Sequence, residues 1–129
     1  MSNENNPMML IVPVGTHIAS ATETLPAMSA LKRYTVRSVK VMNEAALTAD
    51  DTNNRVLTLR KVGGNDIAVL TTDVAGGGLV ANVGKALVLS ATPANLLLAA
   101  LDDLELDLAV NGSGGALANA ILQIELIVQ

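Results

Sequence analysis

Few side chains in this sequence could do chemistry, and their spacing does not suit it. His17 is the single histidine. A Ser–His–Asp triad needs only one, but no nucleophile elbow accompanies it. His17 therefore reads as a surface or interface residue. Gly78 to Lys85 invites comparison with a phosphate-binding loop. That loop needs four residues between its glycines and a Ser or Thr after its Lys. Here five residues separate Gly78 from Gly84, and Ala86 follows Lys85. The segment reads instead as a glycine-rich turn ahead of a strand. Asp103, Glu105 and Asp107 alternate, so a strand would carry them on one face, with Asp102 beside them. They lack the glycine and distal Glu of a calcium loop. A sugar-cleaving carboxylate pair would want aromatic platforms that this chain does not have. The reading is a solvated polar face. Asn111-Gly112-Ser113 fits a glycosylation acceptor, but is explained as a turn. Lys32, Arg33, Arg37 and Lys40 cluster around Tyr34. A nucleic-acid face would add stacking aromatics, so nucleic acid is disfavoured.

The elements that must carry these residues are strands. Met8–Val14 is an apolar run interrupted by Pro13, which suits a sheet edge. The segment 15–30 is small, polar and irregular, as if laid over something. In 32–42 the apolar phase slips between Val36 and Val39, which predicts a bulge. In 55–62, Leu57 and Leu59 alternate with Thr58 and Arg60. After the turn Gly63–Asp66 comes a strand, 67–72, with Ile67 and Val69 on one face. Ala86–Ser90 reads as one continuous strand stopped before Pro93. Leu96–Leu101 is open between a helical turn and a short strand. Leu104, Leu106, Leu108 and Val110 alternate with polar residues, as do Leu122, Ile124, Leu126 and Val128. These two segments are expected to form a closing hairpin across Asn111–Gly115. About eight short strands separated by turns predict an all-β, single antiparallel β-sandwich or jelly-roll-like domain. It is expected over residues 31–129, with an extended N-terminal arm over 1–30 whose start, Ser2–Pro7, reads as loosely held.

Composition narrows function by exclusion. Of 129 residues half are hydrophobic, yet there is no Phe, Trp or Cys, and Tyr34 is the single aromatic. The core must be aliphatic and modest, which favours association with other copies. Without Cys there is neither a disulfide framework nor a thiolate metal site, which fits a reducing compartment. Glu4, with no Lys or Arg before Pro7, does not suit a secretory leader, and no apolar run is long enough for a membrane span. The net charge of −4 disfavours a general nucleic-acid binder. Seven of the eight basic residues lie between Lys32 and Lys61. From Val62 onward Lys85 alone opposes seven acids. The two halves either pair across neighbouring strands or present complementary faces to other subunits or an acidic partner.

Two stretches carry a resemblance. One is Tyr34-Thr35-Val36-Arg37-Ser38-Val39 through Asn43, Ala49-Asp50-Asp51 and Val56-Leu57-Thr58-Leu59. The other is Asp103-Leu104-Glu105-Leu106 through Gly112-Ser113-Gly114 and Leu122–Leu126. Together they resemble small β-sandwich capsid decoration (cement) proteins of tailed bacteriophages. The resemblance implies a non-enzymatic virion protein on the capsid surface, assembled in the host cytoplasm. It implies a homotrimer whose partner is the major capsid protein, with no cofactor, nucleic acid or membrane involved. The alternative is another virion module: a head-fibre base, a tail tip or a receptor-binding sandwich. The residues expected to carry partner contacts are Met8, Met9, Leu10, Ile11, Val12 and Val14 in the arm, with Arg33, Arg37 and Lys40 on the basic strand.

Overall fold

The computed structural model describes residues 7–129. The N-terminal part of the expected loose segment, Ser2–Asn6, lies outside them. The described residues form ten strands and one 3-10 turn. They are β1 (Pro7–His17), β2 (Glu23–Ser29), β3 (Tyr34–Met42), β4 (Asn54–Lys61), β5 (Asp66–Thr71), β6 (Lys85–Ala86), β7 (Val88–Leu89), the 3-10 turn Pro93–Leu96, β8 (Leu97–Leu98), β9 (Asp103–Asn111) and β10 (Leu117–Val128). They make two antiparallel sheets packed as a sandwich, the all-β class expected. The first has the order β1-β10-β3-β6, with β8 also on β3. The second has the order β2-β9-β4-β5-β7. Among the described residues no helix is long and apolar enough to cross a membrane.

The two strands with the cleanest alternation form the centre. On β9, Leu104, Leu106 and Leu108 are buried; on β10, Leu122, Ile124 and Leu126 are buried. Each strand turns one aliphatic face to the interior; outward, β9 carries Asp103, Glu105 and Asp107, and β10 alternates Gln123 and Glu125 with Ile121 and Ile127. They are not a hairpin. β9 lies between β2 and β4 in the second sheet, and β10 between β1 and β3 in the first. The connection after Asn111 carries the chain across the sandwich. The two leucine faces therefore oppose each other and fill one core, which a hairpin within one sheet could not achieve.

Ala86–Ser90 is not a continuous strand either. Lys85–Ala86 pairs with β3 in the first sheet, and Val88–Leu89 pairs with β5 in the second. Leu87 sits between them, buried, its N–H donating to the Val39 carbonyl at 2.9 Å. This short run stitches the sheets together along one side. At the other side lie β1 and β2, one edge strand on each sheet. The segment expected as an arm thus supplies, from Pro7 onward, two edge strands: Val12 and Val14 reach the core, and Leu10, Leu25, Ala27 and Met28 pack against it half-buried. Of Leu96–Leu101, Leu96 ends the 3-10 turn and Leu97–Leu98 form a two-residue strand on β3, so the short strand is found and a helical turn over the segment is not.

Among the register shifts, those on β3 and β5 set which side chains face out there. The expected one falls at Arg37: Ser38 pairs with Glu125 and Val36 with Leu126, leaving Arg37 unpaired between them. The other falls at Ile67, since Leu59 pairs with Ala68 and Arg60 with Asp66. It overturns the expected shared face of Ile67 and Val69. The bulge turns Ile67 inward with Ala68 and Leu70, while Val69 stays half-buried opposite Val88.

The glycine run also has a mechanical explanation. A Cβ on Gly78 would stand 2.2 Å from the Leu47 carbonyl oxygen and 2.9 Å from the Ala49 nitrogen, where Leu47 and Leu79 form a backbone bridge. A Cβ on Gly84 would meet only the Lys40 side chain, at 3.5 Å. Gly78→Ala is expected to cost about 1–3 kcal/mol or more, the range for forcing backbone apart. Gly84→Ala should fall within about 0.5 kcal/mol of the parent. Thermal denaturation of both variants checks the difference.

Candidate functional site

The residues with chemical potential do not converge. Among the described residues there is no group of three or more His, Cys, Asp or Glu that could hold a metal ion. His17 is buried rather than superficial. Its Nε2 lies 2.6 Å from the Val14 carbonyl oxygen and its Nδ1 lies 3.1 Å from Glu23. It closes the corner between β1 and β2, and among the described residues no Ser, Thr or Lys side chain hydrogen-bonds to it. The acidic face, read from the sequence as a solvated face, is engaged by its neighbours. Arg60 bridges Glu105 at 3.3 Å and Asp107 at 3.9 Å. The Thr24 hydroxyl donates to Asp107 and the Ser29 hydroxyl to Asp103. Lys61 lies 3.9 Å from Asp102. The basic and acidic halves thus meet across β4 and β9, within one chain.

A more demanding polar site lies inside. Arg55 is fully buried. Its Nε donates to the Gly115 carbonyl at 2.7 Å, Nη1 to Ala21 at 2.9 Å and Leu108 at 3.4 Å, and Nη2 to Ile18 at 3.0 Å. Burial pushes its pKa down, and the charge of Glu23 offsets part of that effect. One guanidinium therefore ties the β1–β2 corner to the β9–β10 crossing. The site is architectural. A signal was available: Arg55 stands in the same alternation phase as Leu57 and Leu59, so its side chain had to point inward. Nearby, Asp50 accepts the Asn53 and Thr52 backbone N–H groups at 2.8 Å each, which holds its carboxyl below the usual range.

The sequence-predicted contact residues divide between two phases of the first sheet. Val12 and Val14 are core, and Leu10 is half-buried against it. Met8 shares their phase, but at the end of the strand it is 42% exposed. Met9 and Ile11 point outward, 52% and 54% exposed. Across β10 they align with β3: Met9 with Glu125 and Ser38, Ile11 with Gln123 and Lys40. Arg37, at the bulge, lies 3.9 Å from Glu125. The outer face of the first sheet thus joins Met9, Ile11, Arg37 and Lys40. It adds Ile121, Ile127 and Met42, half-buried residues that sequence reading did not single out. Their outward phase follows from the β10 alternation, but which strand lay beside them did not. Arg33 stands apart, exposed ahead of β3, where its carbonyl accepts the Gln129 N–H at 2.9 Å. Lys40 is exposed and, among the described residues, forms no ion pair.

No protein-family model matches the chain, and no curated protein matches it. Among solved structures it is similar to a chain in the structure of infectious bursal disease virus, Gx strain. That likeness has a TM-score of 0.38 and 12% identity, over 98% of this chain and 38% of the other. The chain thus spans well under half the length of that neighbour.

Proposed function

We propose that this chain is a non-enzymatic virion structural protein, a capsid decoration protein that seats on an assembled shell and ties neighbouring subunits together. The observation that carries the reading is the outer face of the first sheet. It presents exposed Met9 and Ile11 beside Arg37 and Lys40, across the three adjacent strands β1, β10 and β3. Apolar side chains interleaved with cations suit a flat, partly acidic protein surface. Sugar recognition lacks a stacking platform there, because Tyr34, the single aromatic, is buried. This disfavours the receptor-binding alternative. Each contact need not be strong. Several copies, or one assembly touching several capsid subunits, gain by effective concentration. The resemblance implies a homotrimer for that purpose. The test is proteomic. In purified virions of the encoding virus, the chain is expected at a copy number commensurate with the major capsid protein. Its absence from virions would sink the proposal.

A further inference from the structure

We infer that the β1–β2 corner is a proton-operated latch, which closes fully around a doubly protonated His17 and loosens at Glu23 when the ring gives up a proton. This inference does not rest on the capsid-binding reading.

The His17 ring has two partners, and both are acceptors. Its Nε2 lies 2.6 Å from the Val14 carbonyl oxygen, and its Nδ1 lies 3.1 Å from a Glu23 carboxylate oxygen. Neither a carbonyl nor a carboxylate has a proton to give. A neutral imidazole has one N–H, so it serves one of them and turns a bare lone pair on the other. The imidazolium has two and serves both. Only 7% of the His17 side chain is exposed, so water reaches little of the ring. Glu23 is 47% exposed and can swing away into solvent. The carboxylate is therefore the side of the latch that opens.

The elements that meet at this corner set the balance of charge around the ring. From β2, Glu23 favours the imidazolium. From β4, the Arg55 guanidinium opposes it as a second cation. The same Glu23 charge holds the Arg55 pKa up against the effect of burial. From β10, the residue paired with His17 is Leu117, which is buried and uncharged. Glu23 thus serves two cations at one corner. Arg55 donates to the Ile18 and Ala21 carbonyls in either state of the ring. Releasing Glu23 therefore frees the start of β2 rather than the whole connection. β2 is an edge strand whose one neighbour in its sheet is β9, so it has little else to hold that end. The two-donor ring is the low-pH form. The stabilisation is present on the acid side of the imidazole titration and is lost as pH rises through it.

The test uses the full chain. Urea unfolding of the parent, Glu23→Gln and His17→Gln is followed from about pH 5 to pH 8, the range in which imidazoles change charge. A Gln at position 23 can accept from Nδ1–H or, with its amide turned, donate to a bare Nδ1, so it satisfies either form of the ring. Its loss of charge beside Arg55 is the same at every pH in the range. The unfolding constant of Glu23→Gln divided by that of the parent is expected to fall about fivefold as pH rises, the size a half-exposed charged contact gives. His17→Gln should show the same fall, and if that variant does not fold, Glu23→Gln decides. A ratio that stays flat or rises overturns the inference. Hydrogen exchange, corrected for the intrinsic effect of pH, locates the change. Protection of β2 should drop with rising pH in the parent while that of β4 holds. An equal drop over both strands, or none in β2, overturns the latch at this corner.

Discussion

Arg55→Ala is expected to destabilise the chain by about 3–5 kcal/mol, the cost of breaking a buried, hydrogen-bonded charge site. The reasoning runs through the acceptors rather than the cation. The Ile18, Ala21, Leu108 and Gly115 carbonyls all receive N–H groups from this one side chain. Truncation leaves the Ile18 carbonyl only the Ala21 N–H and strips the guanidinium from the other three, at about 1–3 kcal/mol for each left with no donor and no water. Arg55→Met should not rescue the loss, although replacing a buried ion pair by apolar residues often does. Here the partners are backbone and cannot be replaced with it. Arg55→Lys should recover part of the loss, because an ammonium donates but cannot fork across the same span. Urea unfolding checks the set. A loss below about 1 kcal/mol for Arg55→Ala would show that the corner is held by other contacts.

Leu122→Ala is expected to cost about 2–5 kcal/mol, and Gln123→Ala within about 0.5 kcal/mol of nothing. The two positions are adjacent on β10 and opposite in phase. Leu122 is fully buried between Val12 and Val41, while Gln123 stands on the outer face between Ile11 and Lys40. An aliphatic core offers no large aromatic to relax into the space, so most of the cavity should persist. Thermal or urea denaturation of the pair reads the difference directly. Similar losses at both positions would mean that the outer face is covered in the isolated protein.

The fold class was legible because β9 and the Leu122–Val128 part of β10 alternate, and the bulge at Arg37 because a phase slip is visible in the residues themselves. The sheet to which each strand belongs was not legible. A half-buried strand has the same pattern whether its neighbour in sequence lies beside it or across the core, so the expected hairpin of β9 and β10 proved to be a crossing. The split at Leu87 was hidden for a related reason, since a residue between two sheets is as apolar as one within a strand. Of the candidate contact residues, alternation alone separates Met9 and Ile11 from Val12 and Val14. That β10 would bring Met9 and Ile11 alongside Arg37 and Lys40 depends on long-range pairing, which composition does not carry. Arg55 was readable from its phase with Leu57 and Leu59, but a charged residue at a core position is easily taken for surface.

The most direct test of the functional reading is saturable co-sedimentation of the purified chain with mature capsids of its own virus, with Arg37→Glu/Lys40→Glu as the comparison. Both residues are exposed, so the double variant should fold like the parent. The account predicts that the parent pellets with capsids to a fixed stoichiometry, and that the double variant binds at least about tenfold more weakly, as lost charge pairs of about 1.4 kcal/mol in total would give. A parent chain that stays in the supernatant, or a double variant that binds equally well, would contradict it.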